Sequence, residues 1–233
     1  MTRHQKRLSA PASWPVERKT SVYTVKAGAG PHGNSGVPLL IIIRDVLQYV
    51  TSSKEADYAL RSRSIMINGR VVTDSKRSVG MFDILAFLDR NEYYRIFPDS
   101  GGRLNLTPIS PEAATSKLSK ITGKSQLSPQ LIQLALHNGT TLTVPNPTEY
   151  YVGDSLITDN ETGDIVAHFP YKEGALVTVI GGSHAGEIGI LKTISVRPGS
   201  FANVVEVKTD ADTFDTVEKY IVVIDEKFTG GGS

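Results

Sequence analysis

Apolar positions in the first part of the chain recur every three or four residues between Pro38 and Val50. This spacing predicts a helix with one buried face, and Pro38 suits its first turn. The buried positions would be Leu39, Ile42, Ile43, Val46, Leu47 and Val50. Ser52 and Glu55 form a capping-box pair at the start of a second predicted helix, SKEADYALRSRS. Arg61 and Arg63 close that helix, where cations suit its negative end.

Shorter β-prone runs follow the two helices. In 65-IMINGRVVT-73, two such runs flank Asn68-Gly69, which predicts a tight hairpin. Further strands are predicted at 81–88, where Asp83 is the only charge, and at 93–97 and 103–109. Residues 110–127 are predicted to hold one short helix, capped by Ser110, and then a polar linker rich in Lys and Ser.

The second half of the chain shows β patterns throughout. Residues 131–169 are predicted to be β throughout, with turns at Asn138-Gly139 and around 160–163. Residues 174–224 form a further compact β unit, and the tail FTGGGS is flexible by composition. The fold class is therefore α+β and multidomain. We expect an arm over 1–37, a small domain with helices and a hairpin over 38–110, a central all-β domain over 111–172, a C-terminal β domain over 173–226 and a tail over 227–233.

The overall composition restricts the class of protein. The chain has 233 residues and a hydrophobic fraction of 39%, which is ordinary for a globular protein. No apolar run is long enough to cross a bilayer, and the basic N-terminus lacks the apolar core of a secretory signal. The absence of cysteine excludes disulfides and thiolate zinc sites. We therefore expect a soluble cytoplasmic protein with no membrane partner.

Charge divides the chain into a basic and an acidic half. Residues 1–110 carry a balance of +7 and residues 111–233 a balance of −6, which together give the net charge of +1. A basic half suggests contact with a polyanion. A chance variation of charge between two domains gives the same asymmetry.

The segment 1–36 is predicted to be an extended arm, because it is interrupted by prolines and glycines. Trp14 and Tyr23 lie between its cations, so the arm suits a path across phosphates with rings available for stacking. A disordered terminus without function is the alternative. The candidate phosphate contacts in the arm are Arg3, Lys6, Arg7, Arg18, Lys19 and Lys26.

The sequence contains no complete motif for catalysis or nucleotide binding. The match 28-GAGPHG-33 to G-x-G-x-x-G is broken by Pro31, so no helix begins where a dinucleotide needs one. The glycine-rich stretch 176-LVTVIGGSHAGEIGILKTI-194 has no Gly-Lys-Ser/Thr, which excludes a P-loop. No histidines pair at metal-ligand spacing, and there is no G-x-S-x-G elbow. We expect no enzyme, no catalytic residues, no cofactor, no metal and no small-molecule substrate.

The second predicted helix and the hairpin after it form a platform with a cationic rim. Such a rim suits the shape and phosphates of structured RNA. By charge alone, an ordinary solvated surface fits equally well. The candidate RNA-binding residues of the platform are Arg61, Arg63, Asn68, Arg70, Lys76 and Arg77.

Two stretches resemble known RNA-binding modules. ADYALRSRSIMINGRVVTD, with Asn68-Gly69 at the turn, is similar to the S4-type RNA-binding domain. The stretch 176–194 resembles a KOW motif through Val177, Val179, Gly182, Gly186, Gly189 and Leu191. The resemblance implies an SH3-like KOW β-barrel over 173–226. Its loop would approach RNA or a neighbouring protein through Gly182, His184, Gly186 and Gly189.

The chain resembles the archaeal and eukaryotic small-subunit ribosomal protein family S4e. The resemblance extends from Lys6 to Val223, and the modules follow the order of the family's domains. The resemblance implies a structural, non-catalytic protein of the ribosome in the cytoplasm. Its partners would be small-subunit rRNA and neighbouring ribosomal proteins. The lack of an extended basic C-terminal tail fits an archaeal member. A free-standing RNA-binding regulatory or RNA-modification factor is the alternative function, and an adaptor that binds proteins through the acidic half is a third.

Overall fold

The computed structural model describes residues 4–33, 35–145, 148–199, 201–209 and 212–225. The chain is mostly β and divides into two compact units. Unit 1 contains Met1–Phe97, Arg103–Lys117 and Asn160–Thr162, and unit 2 contains Pro98–Gly102, Leu118–Asp159 and Gly163–Ser233. Each unit is therefore assembled from three separate segments of the chain.

The helices of unit 1 follow the predicted spacing, but the first is shorter. Helix α1 (Leu39–Ile41) continues as a π-helix over Ile42–Val46, and helix α2 spans Ser53–Arg61. The first helix ends before Val50 because Gln48 adopts a left-handed backbone with φ of 55°. At the start of α2, Ser52 Oγ accepts a hydrogen bond from the Glu55 N–H at 3.2 Å, as the capping pair predicts.

Within the described residues, nine strands of unit 1 pair in three sheets. Their bounds are β1 Gln5–Lys6, β2 Tyr23–Thr24, β3 Val37–Pro38, β4 Ile65–Ile67, β5 Arg70–Val71, β6 Ser78–Val79, β7 Ile84–Phe87, β8 Glu92–Pro98 and β9 Leu104–Pro108. The largest sheet has the order β5-β4-β7-β8-β9, while β1 pairs with β2 and β3 with β6. The turn between β4 and β5 has φ of 49° at Asn68 and 74° at Gly69, so the predicted tight hairpin is confirmed.

The N-terminal arm is part of the core of unit 1. Ala10, Trp14 and Val16 are buried in the same cluster as helix α1, and Trp14 is only 3% exposed. The Leu104 N–H donates to the Ser13 carbonyl at 2.8 Å. The prediction that the Trp14 ring is available for stacking is therefore wrong, because apolar packing covers it. Tyr23 is 56% exposed.

Unit 2 contains a sheet with the order β12-β11-β10-β13-β14. Its strands are β10 Ser116–Ser128, β11 Leu131–Leu136, β12 Thr141–Pro145, β13 Ser155–Asp159 and β14 Ile165–Phe169. The predicted linker after Ser110 is wrong: only Ala113–Thr115 forms a short 3-10 turn, and the rest is the strand β10 of 13 residues. The lysines at its start, Lys117 and Lys120, are buried.

A second sheet of unit 2 has the order β18-β17-β16-β15-β19, with antiparallel pairing throughout. Its strands are β15 Leu176–Val179, β16 Ile188–Ser195, β17 Val204–Lys208, β18 Thr213–Val217 and β19 Ile221–Val223. Val177, Leu191, Val205 and Val207 build its core. The apolar runs on both sides of the glycine-rich stretch are β15 and β16, as the sequence pattern predicts.

Candidate nucleic-acid interface

The end of α2 and the β4-β5 hairpin carry three exposed arginines. Arg61 is the last residue of α2, and Arg70 is the first residue of β5. Arg63 follows the helix in a left-handed conformation with φ of 61°, and its N–H donates to the Leu60 carbonyl at 3.2 Å. Glycine is the usual residue at this position after a helix, so an arginine here is held at a conformational cost.

Asn68, another predicted RNA contact, has its side chain turned into unit 1. Its Nδ2 donates to Asp83 Oδ1 at 2.8 Å, and its Oδ1 accepts from the Ile84 N–H at 2.9 Å. Both ends of the amide therefore hold the hairpin turn against β7. The Asn68 side chain therefore positions the hairpin, and its hydrogen bonds are made within unit 1.

The arm runs past the loop that carries Lys76 and Arg77. The Gly28 N–H donates to the Lys76 carbonyl at 2.8 Å, and a Cβ placed on Gly30 would lie 3.6 Å from a guanidinium nitrogen of Arg77. Lys76 and Arg77 are both exposed. This packing brings the predicted cations of the loop to the same part of unit 1 as residues 28–30 of the arm.

The remaining cations of the arm differ in their exposure. Lys6 and Lys19 are exposed, whereas Lys26 is partly buried. Arg7 Nη1 donates to Ser21 Oγ at 2.8 Å, and Arg18 Nη2 donates to the Ala10 carbonyl at 3.2 Å. These two arginines thus also fix the path of the arm. Arg3 lies outside the described residues.

A buried carboxylate, Asp83, organises unit 1 behind the arginine-bearing hairpin. It accepts from His32 Nε2 at 2.7 Å and from the Gly80 N–H at 2.9 Å, and it pairs with Lys117 Nζ. Burial alone would raise the pKa of Asp83, but Lys117 and then His32 hold that pKa well below its usual range. The sequence pattern shows Asp83 as a lone charge in a β-prone run, yet it gives no sign of its partners.

Two further cations are buried, and each donates hydrogen bonds to backbone carbonyls. Arg95 Nη2 donates to the Ala113 carbonyl at 2.6 Å, and burial lowers the pKa of Arg95 to about 10. Lys120 Nζ donates to the carbonyls of Ile221 at 2.6 Å and of Glu218 at 3.0 Å, and burial lowers its pKa to about 8. Both side chains are buried and stabilise the fold. The number of Lys and Arg residues in the sequence is therefore larger than the number of cations on the surface.

The loop between β15 and β16, residues 180–187, together with Gly189 is called the glycine loop, and it packs against its own unit. A Cβ on Gly186, where φ is +86°, would lie 2.8 Å from the Asp99 carbonyl oxygen, and a Cβ on Gly189 would lie 2.6 Å from the Lys208 carbonyl oxygen. The His184 ring stacks on Phe214 at 3.9 Å and contacts Glu187 Oε1 at 3.0 Å. Only Gly182 of the four predicted contacts is exposed. Gly186 and Gly189 therefore lie close to backbone of the same unit, and a contact of this loop with RNA or a neighbouring protein stays a prediction.

Among the described ranges, no helix is long and apolar enough to cross a membrane. The part of the chain that the structure describes also holds no group of three or more His, Cys, Asp or Glu side chains that could bind a metal ion.

The mostly β fold, with exposed arginines on a helix-and-hairpin unit, has the character of an RNA-associated protein. Two family profiles match the chain: "RS4NT (NUC023) domain" over residues 1–35 and "Ribosomal family S4e" over residues 90–165. The small ribosomal subunit protein eS4 of Natronomonas pharaonis is 60% identical over 100% of this chain and 99% of its own length. The chain belongs to ribosomal family S4e.

Other relatives support this assignment over nearly the whole length. The eS4 proteins of Haloarcula marismortui and Methanospirillum hungatei are 59% and 36% identical, over 99% and 96% of this chain and 99% and 94% of their own lengths. The crystal structure of the 30S ribosomal protein S4e from Thermoplasma acidophilum is similar, with a TM-score of 0.72 and 27% identity. That match covers 84% of this chain and 99% of the solved one. The similar proteins named here are all archaeal, as the sequence resemblance predicts.

Proposed function

We propose that this protein is a structural constituent of the small ribosomal subunit, which binds the subunit's rRNA and supports its assembly and translation. The observation that carries the proposal is the 60% identity to a small ribosomal subunit protein over the full length of both chains. The protein acts on the ribosome, beside neighbouring ribosomal proteins, and performs no catalysis.

The RNA-binding surface we propose is on unit 1. It consists of the exposed cations after α2, on the hairpin and in the neighbouring loop, together with those of the arm. Asn68 supports this surface from behind, through its hydrogen bonds to Asp83 and Ile84. In unit 2, we propose that the glycine loop reaches a neighbour through its exposed part around Gly182. The proposed phosphate contacts are Lys6, Arg7, Arg18, Lys19, Lys26, Arg61, Arg63, Arg70, Lys76 and Arg77.

A titration of binding against salt tests the surface. Each lost phosphate contact lowers the log–log dependence of affinity on salt by roughly one unit. A triple variant, Arg61→Ala, Arg70→Ala and Arg77→Ala, should therefore lose about two to three units of slope on small-subunit rRNA. The matched control removes three exposed cations from unit 2: Lys172→Ala, Arg197→Ala and Lys208→Ala. Equal losses from the two variants would contradict the surface on unit 1.

Sedimentation tests the ribosomal function separately. The tagged wild-type protein should sediment with small subunits in a sucrose gradient, in stoichiometric amount and at moderate salt. A substoichiometric and salt-labile association would favour the alternative of a free-standing factor and would contradict the structural role.

A further inference from the structure

Helix α2 exposes a tyrosine that the fold itself does not use. Tyr58 is 78% exposed, and within the described ranges its hydroxyl has no hydrogen-bond partner and its ring no aromatic contact. A tyrosine ring is a large apolar surface, and one left in water contributes nothing to the packing of α2. The packing of α2 depends instead on Ala56 and Leu60, which are buried.

Tyr58 lies between two cations on the side of α2 opposite its buried residues. Lys54 precedes Tyr58 by four residues and Arg61 follows it by three, so all three side chains project within roughly 60° of one another around the helix. All three are exposed. We call these three residues the Tyr58 face.

The acidic residues of α2 leave the charge of this face in place. Glu55 Oε2 is held by Thr51, whose N–H and hydroxyl donate to it at 2.8 and 3.0 Å. Asp57 is spaced to reach both Lys54 and Arg61, yet in the part of the chain that the structure describes it forms no ion pair with either. On the Tyr58 face, the exposed ring therefore has one cation outside any ion pair about one helical turn before it and another about one turn after it.

We propose that the Tyr58 face is a stacking site for an unpaired base of the small-subunit rRNA, with Lys54 and Arg61 on the phosphates beside that base. This proposal rests on the proposed function. Proteins recognise unpaired RNA by stacking bases on aromatic rings, next to cations that follow the backbone. A protein partner fits less well, because the other exposed residues of α2 are polar or charged and the ring has no apolar neighbours on the helix.

Stacking and charge have different dependences on salt, which makes the proposal testable. Tyr58→Ala should lower the affinity for small-subunit rRNA by about 5- to 150-fold and leave the slope against salt unchanged. Tyr58→Phe keeps a ring and should stay within about twofold of the wild type, while Tyr58→Leu, which is apolar but not aromatic, should behave like the alanine variant. Lys54→Ala should instead reduce the slope by about one unit.

One control variant and one fluorescence measurement separate this site from a general effect of tyrosine loss. Tyr151→Ala removes a tyrosine that is 64% exposed in unit 2 and should leave the affinity unchanged. In Tyr58→Trp, a stacked base should quench the new indole fluorescence when rRNA is added. Trp14 is the only native tryptophan and is buried, so the wild-type protein gives the background for that measurement.

Three results would overturn the proposal: wild-type affinity in Tyr58→Ala, retained affinity in Tyr58→Leu, or no rRNA-dependent quenching in Tyr58→Trp. Retained affinity in the leucine variant would point to an apolar contact with a protein. If the wild-type protein itself does not bind small-subunit rRNA, the proposed function fails instead, and the two failures are thereby distinguished.

Discussion

The Nε2 atom of His32 lies 2.7 Å from Oδ2 of Asp83, although 51 positions separate the two residues in the chain. The same carboxylate accepts a hydrogen bond from Asn68 in the hairpin turn and pairs with Lys117 at the start of β10. Three distant segments of unit 1 therefore converge on one buried charge. We expect the position of the arginine-bearing hairpin to depend on that charge as much as on the apolar core.

Loss of the Asp83 charge should destabilise the whole of unit 1. Asp83→Asn leaves the ammonium group of Lys117 buried without a counter-charge, which typically costs about 3–5 kcal/mol in the free energy of unfolding. Adding Lys117→Met should recover part of the loss, because a neutral pair has no such penalty. Urea denaturation measures both. Asp57→Asn, on exposed α2, is the control and should change stability by less than about 0.5 kcal/mol.

Asp83 should also make the protein sensitive to acid. Its pKa is below the usual value in the folded state, so the unfolded chain binds the proton first as the pH falls below about 4. The stability due to Asp83 is thus present above that pH and is lost progressively below it. Between pH 5 and pH 3, the wild type should lose more stability than the double variant Asp83→Asn, Lys117→Met. Parallel losses in the two proteins would contradict this assignment.

Lys120 should also make stability rise with pH, but in the alkaline range. Burial lowers its pKa to about 8 from a usual value of 10.5, so between these values the unfolded chain holds a proton that the folded chain has released. Stability due to this group therefore rises with pH across that window, by roughly 3 kcal/mol at most. The stability of the wild type relative to Lys120→Met, measured by urea denaturation at pH 8 and pH 10.5, should show the rise. A constant difference would mean that Lys120 titrates normally.

The glycine loop offers a comparison at matched backbone geometry. Gly186 and Gly174 have φ of +86° and +85°, but a Cβ would meet the Asp99 carbonyl only at Gly186 and would find nothing within 4 Å at Gly174. Gly174→Ala should therefore cost only the strain of a left-handed alanine, about 1–2 kcal/mol. Gly186→Ala should cost about 1–3 kcal/mol more, because its neighbours must move. Chemical denaturation of the two variants measures the loss in the free energy of unfolding. Equal losses would show that residues 99–100 move aside at no cost.

We expect Arg63 to lower the stability of the fold and to contribute to rRNA binding. Because its φ of 61° suits glycine, Arg63→Gly should raise the free energy of unfolding by about 1 kcal/mol. The same substitution should lower the salt slope of rRNA binding by about one unit, since it removes a proposed phosphate contact. Arg61→Ala is the control: it should lower the slope without the gain in stability. A destabilised Arg63→Gly protein would contradict the conformational part of this argument.

Features with short-range causes could be predicted from the sequence. The Asn68-Gly69 turn and the Ser52 cap depend on residues within three positions of one another, and both are found as predicted. The glycines around 181–189 were expected to approach RNA or a neighbouring protein, which stays a prediction, and in the structure Gly186 and Gly189 approach backbone of the same chain. The sequence pattern did not identify that backbone, because Asp99 and Lys208 are distant in the chain.

Strand β10 could not be predicted by the same rules. Lys117 and Lys120 give its first residues the composition of a solvated linker. Their partners are 34 residues away for Lys117 and 98 and 101 residues away for Lys120, so no local pattern shows that the two ammonium groups are buried. The S4-type resemblance located the arginine-bearing hairpin correctly, whereas the inward side chain of Asn68 follows only from the position of Asp83.

The position of Lys117 in the chain affects the point during synthesis at which unit 1 can fold. A nascent chain that has emerged only as far as Pro98 contains Asp83, which directly precedes β7, but it lacks the ammonium group that compensates the carboxylate. Unit 1 should therefore become resistant to proteases only after the start of β10 has left the exit tunnel of the ribosome that makes it. Ribosome-bound chains arrested on either side of that point, treated briefly with protease, would show the step.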